Sequence, residues 1–206
     1  MKLFESVVVV TDPVTYELGI ALRGVLDAFR LHCDFHQCVQ RQHLLKVLGG
    51  GCAPSEYVVL CVGGWHPPDT ENLHFIRMVD MVEGSWQGAD LRLTPEVIRE
   101  TVRLAGRNIL VLGGCNGGSP GLVEAFLDAG CQRYIAESGE VNGVDADSAL
   151  LFTIGVFYHL LSGARDPSVS CTIEEAVQRA AAIDSLSKEG THLYRCFGRS
   201  TPSTGR

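Results

Sequence analysis

The sequence predicts an α/β protein with a mainly parallel sheet flanked by helices on both faces. Residues 6–11, 57–62 and 108–112 are apolar almost throughout and rich in β-branched residues, as strands buried on both faces are. Between such segments lie stretches with apolar residues at helical spacing, the most apolar at 147–161. Strands and helices therefore alternate, which is typical of a parallel sheet covered on both sides.

Local patterns predict the remaining elements. Thr94 is a good helix cap, and Pro95 suits the first helical position that follows it. Residues 33–39 alternate like a strand nearer an edge of the sheet, and a small hairpin is predicted over 74–87 around Glu83-Gly84. The other predicted elements are helices at 16–30, 42–48, 95–105, 119–129 (ended by Gly130), 147–161 (ended by Gly163) and 173–186, and a strand at 132–136.

Composition and length describe one soluble globular domain. The chain has 206 residues, of which 46% are hydrophobic and 20% charged. No composition break divides it, so we expect a single domain over residues 1–188 and a loosely ordered tail over 189–206. A net charge of −7 argues against nucleic-acid binding as the main purpose. We also expect no membrane attachment, because no apolar run approaches the roughly 20 residues that a span needs.

Eight cysteines are scattered along the chain without a C-x-x-C pair. With no signal peptide at the amino end, this pattern favours reduced thiols and a cytoplasmic protein over a disulfide framework. Cys33, His36 and Cys38 are close together, but their alternation suits a strand and no second ligand pair follows, so we expect no metal site. We expect no cofactor either, since Asp12 after the first strand would repel a phosphate in a flavodoxin-like loop.

The run NILVLGGCNGG, residues 108–118, organises the chain. It predicts a buried strand that delivers Cys115 to the start of a helix, where partial positive charge and free N–H groups favour an anion. A thiol held there ionises more easily, and the thiolate is the reactive form. The alternative is that Cys115 is only a small apolar residue at the end of a core strand.

A second glycine-bounded strand end precedes His66. The run GGWHPPD, residues 63–69, follows the strand at 57–62, and His66 comes 49 positions before Cys115. If the two strands are neighbours in a parallel sheet, both residues emerge at the same edge. This spacing fits a Cys–His dyad, in which an imidazole activates a cysteine nucleophile. The alternative is an ordinary loop histidine.

From residue 104 to 182 the chain resembles the caspase-like cysteine peptidases, and among them the CHAT branch, relatives of caspases and separase. Such domains have an apolar strand that ends in small residues and Cys, then a helix rich in Ala and Phe that ends in Ala-Gly. An acidic loop, a long helix with Phe-Tyr near its end, and a helix with Glu-Ala follow. The matching residues here are 109–115, 124–130, 144–145, 157–163 and 175–177.

The resemblance implies a cysteine endopeptidase that cleaves protein or peptide substrates. Cys115 falls on the nucleophile of the family and His66 on its base, and the N–H groups of Cys115 and Gly114 are the expected oxyanion hole. The family usually has glycine after the histidine, where this chain has Pro67, which has no N–H to donate. We therefore expect an enzyme that needs a ligand or an activating partner protein.

In the family, the ends of the first and fifth strands line the specificity pocket. Asp12 and Glu137 hold these places here, and acidic residues would favour a basic residue before the cleaved bond. The alternatives are that Asp12 only initiates a turn before Pro13 and that Glu137 is solvated.

Two other functions fit the same residues. The missing glycine after His66 suits a catalytically silent interaction module with the caspase-like fold. The pattern G-x-C-x-G at 113–117 also fits a nucleophile elbow like that of the glutamine amidotransferases, whose histidine follows the nucleophile. His159 and His192 are the candidates for that histidine.

Overall fold

The fold is described by a computed structural model that covers residues 6–62, 76–78, 91–113, 117–137, 146–183 and 194–199. Its strands are β1 Ser6–Thr11, β2 His32–Gln37, β3 Tyr57–Cys61, β4 Ile76–Met78, β5 Leu91–Leu93, β6 Asn108–Leu112, β7 Arg133–Glu137 and β8 Tyr194–Gly198. Its α-helices are α1 Tyr16–Ala28, α2 Arg41–Lys46, α3 Pro95–Thr101, α4 Pro120–Asp128, α5 Ala146–Arg165 and α6 Ile173–Ile183. A π-helical turn follows α2, and a short 3₁₀ turn follows α5.

The main sheet has six strands in the order β2-β1-β3-β6-β7-β8. The first five run parallel to one another, and β8 pairs with β7 in the antiparallel direction. Strands β1, β3 and β6 occupy the centre and are buried along almost their whole length. The predicted α/β class with a mainly parallel sheet is confirmed.

Helices cover the sheet on both faces, and strand alternation divides the core accordingly. Side chains such as Val7, Val59 and Leu110 pack with α1, α5 and α6. Their neighbours in sequence, such as Val8 and Val58, point to the other face and pack with α2, α3 and α4. The central strands are therefore apolar at every position because both of their faces are buried.

Helix ends depart from the sequence prediction where the core overrides local signals. Thr94 caps α3 as predicted, accepting a hydrogen bond from the N–H of Val97 at 3.3 Å. The helix ends at Thr101 and not near residue 105, because Val102 turns to extended backbone and is buried in the core. Gly163 was predicted to end α5, but that helix continues to Arg165.

Two further predictions need correction. Within the segment expected to be a loose tail, residues 194–198 form β8, and Tyr194 is buried against the ring of Phe152 at 4.0 Å between centroids. Burial of this ring, with pairing to β7, explains why these five residues form a strand. The hairpin partner of β4 is β5 at Leu91–Leu93, whereas residues 85–87, the predicted partner, lie outside the described residues.

Among the described residues, no helix has the length and apolar character needed to cross a membrane.

Candidate functional site

The carboxyl ends of β3 and β6 lie side by side. The two strands pair in parallel with Cys61 opposite Leu112, and the N–H of Val62 donates to the carbonyl oxygen of Leu112 at 2.9 Å. The chain therefore leaves both strands at the same edge of the sheet, toward His66 in one case and Cys115 in the other. The prediction that these two strands are neighbours in a parallel sheet is confirmed.

Gly113 allows the two strand ends to approach this closely. Its φ of +77° is in the left-handed region, and a Cβ atom there would meet the carbonyl oxygen of Val62 at 2.7 Å. Only glycine avoids both the steric cost of this backbone conformation and the contact with Val62. Glycine at position 113 is thus needed for the close contact between the ends of β3 and β6.

The expected catalytic and oxyanion-hole residues lie outside the described residues. These are Cys115, His66 and Gly114, and Pro67 lies outside them as well. The structure places the strands that lead to these residues, while the distance between the thiol and the imidazole stays a prediction.

Gly117 and Gly118 form a turn that leads into α4. The hydroxyl of Tyr134, on β7, donates to the carbonyl oxygen of Gly117 at 2.7 Å. The Tyr134 ring is fully buried and stacks on Phe126 of α4 at 4.8 Å between centroids. The turn after the Cys115 segment is therefore attached to both β7 and α4.

Asp12 follows β1 directly and is fully buried. Its Oδ1 accepts a hydrogen bond from the N–H of Thr15 at 2.8 Å, and the Thr15 hydroxyl lies 2.8 Å from the same oxygen. That hydroxyl also lies 2.6 Å from the carbonyl oxygen of Cys61, the last residue of β3. A hydroxyl has one proton, so it donates to one of these acceptors at a time. The alternative that Asp12 initiates a turn is thus supported.

Thr15 is a site residue that the sequence analysis missed. It connects the turn after β1 to the carboxyl end of β3, the strand that leads to His66. The spacing D-x-x-T at 12–15 was the available signal, because a carboxylate three residues before a threonine can close a turn through the threonine N–H and hydroxyl.

Glu137 ends β7, the neighbour of β6, and is 2% exposed. It lies opposite Tyr194 of β8 in the strand register. The alternative that Glu137 is solvated is wrong, because Glu137 is buried where the edge strand β8 pairs with the end of β7. Asp12 and Glu137 are therefore both buried at the carboxyl ends of the parallel strands, where the chain also leaves β3 and β6.

Most described cysteines are thiols whose pKa is raised, so their reactivity is low. Burial raises the pKa of Cys33 to about 11 and the pKa of Cys38, Cys131 and Cys196 to about 12, and burial with the nearby Asp12 raises the pKa of Cys61. Such groups are protonated at neutral pH, and the thiol is a poor nucleophile. Cys52 is half-buried, and its sulfur accepts a hydrogen bond from Arg107 Nη1 at 3.0 Å. It is therefore the thiol to use as a control in labelling experiments on Cys115.

His159 is at the wrong end of the sheet for the amidotransferase alternative. His159 lies two residues after Phe157 in α5. The ring centroid of Phe157 is 5.7 Å from that of Tyr57, at the amino end of β3. Burial, with the nearby Arg179, lowers the pKa of His159. The Cys115 segment leaves the opposite, carboxyl end of the sheet, so His159 is excluded as its partner; His192 lies outside the described residues.

The potential zinc ligands are divided between the two faces of the sheet. Cys33 packs with the core on the α1, α5 and α6 face, whereas Cys38 packs with the core on the other face. Within the described parts of the chain, no group of three or more His, Cys, Asp or Glu side chains is arranged to hold a metal ion.

A comparison of the chain with protein-family models, with curated proteins and with solved structures finds no match.

Proposed function

We propose that the chain is a caspase-like cysteine endopeptidase with a Cys115–His66 dyad, similar to the CHAT branch. The thiolate of Cys115 would attack the peptide carbonyl, and the His66 imidazolium would protonate the leaving amine. Water would then hydrolyse the acyl-enzyme and release the second product. The N–H groups of Cys115 and Gly114 would stabilise the oxyanion.

The parallel pairing of β3 with β6 carries the proposal. The hydrogen bond from Val62 to Leu112 and the contact of Gly113 with Val62 bring together the chain segments that continue to His66 and Cys115. In a parallel α/β sheet, active sites form at the carboxyl ends of such strands. The order α3, β6, α4, β7, α5, α6 also agrees with the order of elements on which the resemblance depends.

The same proposal includes a preference for Arg or Lys before the cleaved bond, supported by the position of two acids in the sheet. Asp12 ends the strand beside β3, and Glu137 ends the strand beside β6. Together they flank the two segments that carry the proposed dyad, and carboxylates enclosed at that edge favour a cationic side chain. A cytoplasmic location and an activating ligand or partner protein belong to the same proposal.

A peptide probe with an electrophilic ketone tests the enzyme proposal. One probe carries Arg next to the ketone and a matched probe carries Asp, and each is incubated with the full chain at pH 7. We expect the Arg probe to modify Cys115 ahead of the other thiols, as read by intact mass and peptide mapping. The Cys52→Ser variant should be labelled equally, since Cys52 is outside the proposed site.

The outcomes separate activity from specificity. Loss of labelling in His66→Ala, with labelling kept in Cys52→Ser, supports the dyad. Preference for the Asp probe would overturn the basic specificity and leave the peptidase proposal standing. Failure of both probes to modify Cys115, with and without candidate partners, would overturn the peptidase proposal.

Pro67 favours a second candidate, a catalytically silent interaction module with the same fold. The residue after the proposed base has no N–H, so the usual second oxyanion donor of the family is missing. Absence of Cys115 labelling in both the wild type and Pro67→Gly would favour this candidate over an inactive but repairable enzyme.

A further inference from the structure

The start of α4 lacks the side-chain cap that its sequence offers. Ser119 has the extended backbone of a cap residue, with φ −62° and ψ 142°, but its hydroxyl accepts no hydrogen bond from the first turn. Pro120, at the first helical position, has no N–H. The donors of the first turn are therefore the N–H groups of Gly121 and Leu122, and no side chain caps them.

The Ser119 hydroxyl is itself buried without a partner. The residue is 8% exposed, and among the described residues no group hydrogen-bonds to its Oγ. A buried hydroxyl is costly to leave unpaired, and a serine at this position normally caps the helix. A hydroxyl proton and two N–H groups therefore occur together at the start of one helix.

The turn that carries these donors is held in place, and part of it lies near the surface of the protein. Tyr134 donates to Gly117 at 2.7 Å, which attaches the turn to β7. Gly118 and Gly121 are half-buried and Pro120 is exposed, so side chains block the helix start only in part. Fixed donors with little side-chain cover suit a ligand that approaches the backbone closely.

We propose that the start of α4 is a binding site for a small anion, a carboxylate or a phosphate. The ligand accepts from the Ser119 hydroxyl and from the N–H groups of Gly121 and Leu122, and the positive end of the helix attracts it. The site uses neither Cys115 nor His66, so it goes beyond the peptidase proposal.

Nuclear magnetic resonance of the ¹⁵N-labelled full chain tests this site. The protein is titrated separately with sodium phosphate and with sodium acetate, and sodium chloride keeps the ionic strength constant. We expect saturating shifts of the Gly121 and Leu122 amide signals. Ser119→Ala should weaken binding about tenfold through loss of one charge-assisted hydrogen bond. Ser162→Ala, which changes a hydroxyl bonded to Tyr158 far along the chain, is the matched control and should bind as the wild type does.

A second variant keeps the proposal testable if Ser119→Ala loses stability. Ser119→Asp places a carboxylate at the helix cap, so it should raise Tm and remove the titration. Binding of phosphate alone or of acetate alone supports the site and identifies the ligand source. Shifts that do not saturate for either anion, or Ser119→Asp binding with wild-type affinity, would overturn the proposal. Labelling of Cys115 by the peptide probes reports on the peptidase proposal separately.

Discussion

Gly113 contacts the backbone of Val62: a Cβ atom on Gly113 would lie 2.7 Å from the Val62 carbonyl oxygen. The contact joins the residues that directly follow the parallel strands β3 and β6, just before the chain continues to His66 and Cys115. Any side chain at position 113 would push the ends of β3 and β6 apart, so the proposed dyad depends on a glycine that takes part in no chemistry.

Gly113→Ala should lower the free energy of unfolding by about 2–4 kcal/mol, since it adds backbone strain and a contact with Val62. Gly106→Ala is the matched control, because Gly106 has a similar φ of +76° but open space around its Cβ position. Its cost should be about 1–2 kcal/mol, from strain alone. Urea denaturation measures both, and equal losses would contradict a specific role for the Val62 contact.

Pro67→Gly should raise the cleavage rate of an Arg-containing peptide, because glycine restores an N–H after the proposed base. Recovery of one oxyanion donor is worth roughly 10²- to 10³-fold in kcat. Steady-state assays of the wild type and the variant, with and without candidate activators, measure the change. Efficient cleavage by the isolated wild type, unaltered by the substitution, would show that Pro67 does not limit the enzyme.

Thr15→Val should lower the free energy of unfolding by about 1–2 kcal/mol, because it removes the hydroxyl between Asp12 and the Cys61 carbonyl while keeping the side-chain shape. Thr15→Ser keeps the hydroxyl and should be much closer to the wild type. Thermal or urea unfolding of the three proteins measures this difference. Equal destabilisation by both substitutions would assign the effect to packing and not to the hydrogen bonds.

Asp34→Asn should destabilise the protein at neutral pH by about 1–2 kcal/mol. Burial raises the pKa of Asp34, but the hydrogen bond from the Ala53 N–H at 2.8 Å and the nearby His36 outweigh burial and hold that pKa below its ordinary value. A lowered pKa in the folded state stabilises the protein above the unfolded pKa of about 4.

The pH dependence gives the sign of this effect. Stability from Asp34 is fully present above about pH 4 and is lost as pH falls through the folded pKa, so the wild type and Asp34→Asn should converge in acid. Urea unfolding between pH 3 and pH 7 measures the convergence. A difference that stays constant over this range would mean that the Asp34 charge contributes nothing.

Much of the fold follows from local patterns in the sequence. The run at 108–112 and the valines of β1 are apolar at every position, so burial on both faces and a parallel sheet follow without coordinates. Thr94 and Pro95 also mark the start of α3 in the sequence, because a helix cap acts on residues that are close to it in the chain.

Contacts distant in sequence decided the rest. The order of residues predicts strand ends that carry Asp12, His66, Cys115 and Glu137, but only strand pairing determines that β3 lies between β1 and β6. Likewise, β8 is ordered because Tyr194 packs on Phe152 and pairs with β7, and no local signal at 194–198 shows this. Hydrogen bonds between strands and burial of side chains join residues that are far apart in the chain, so their energies appear only once the tertiary structure brings them together.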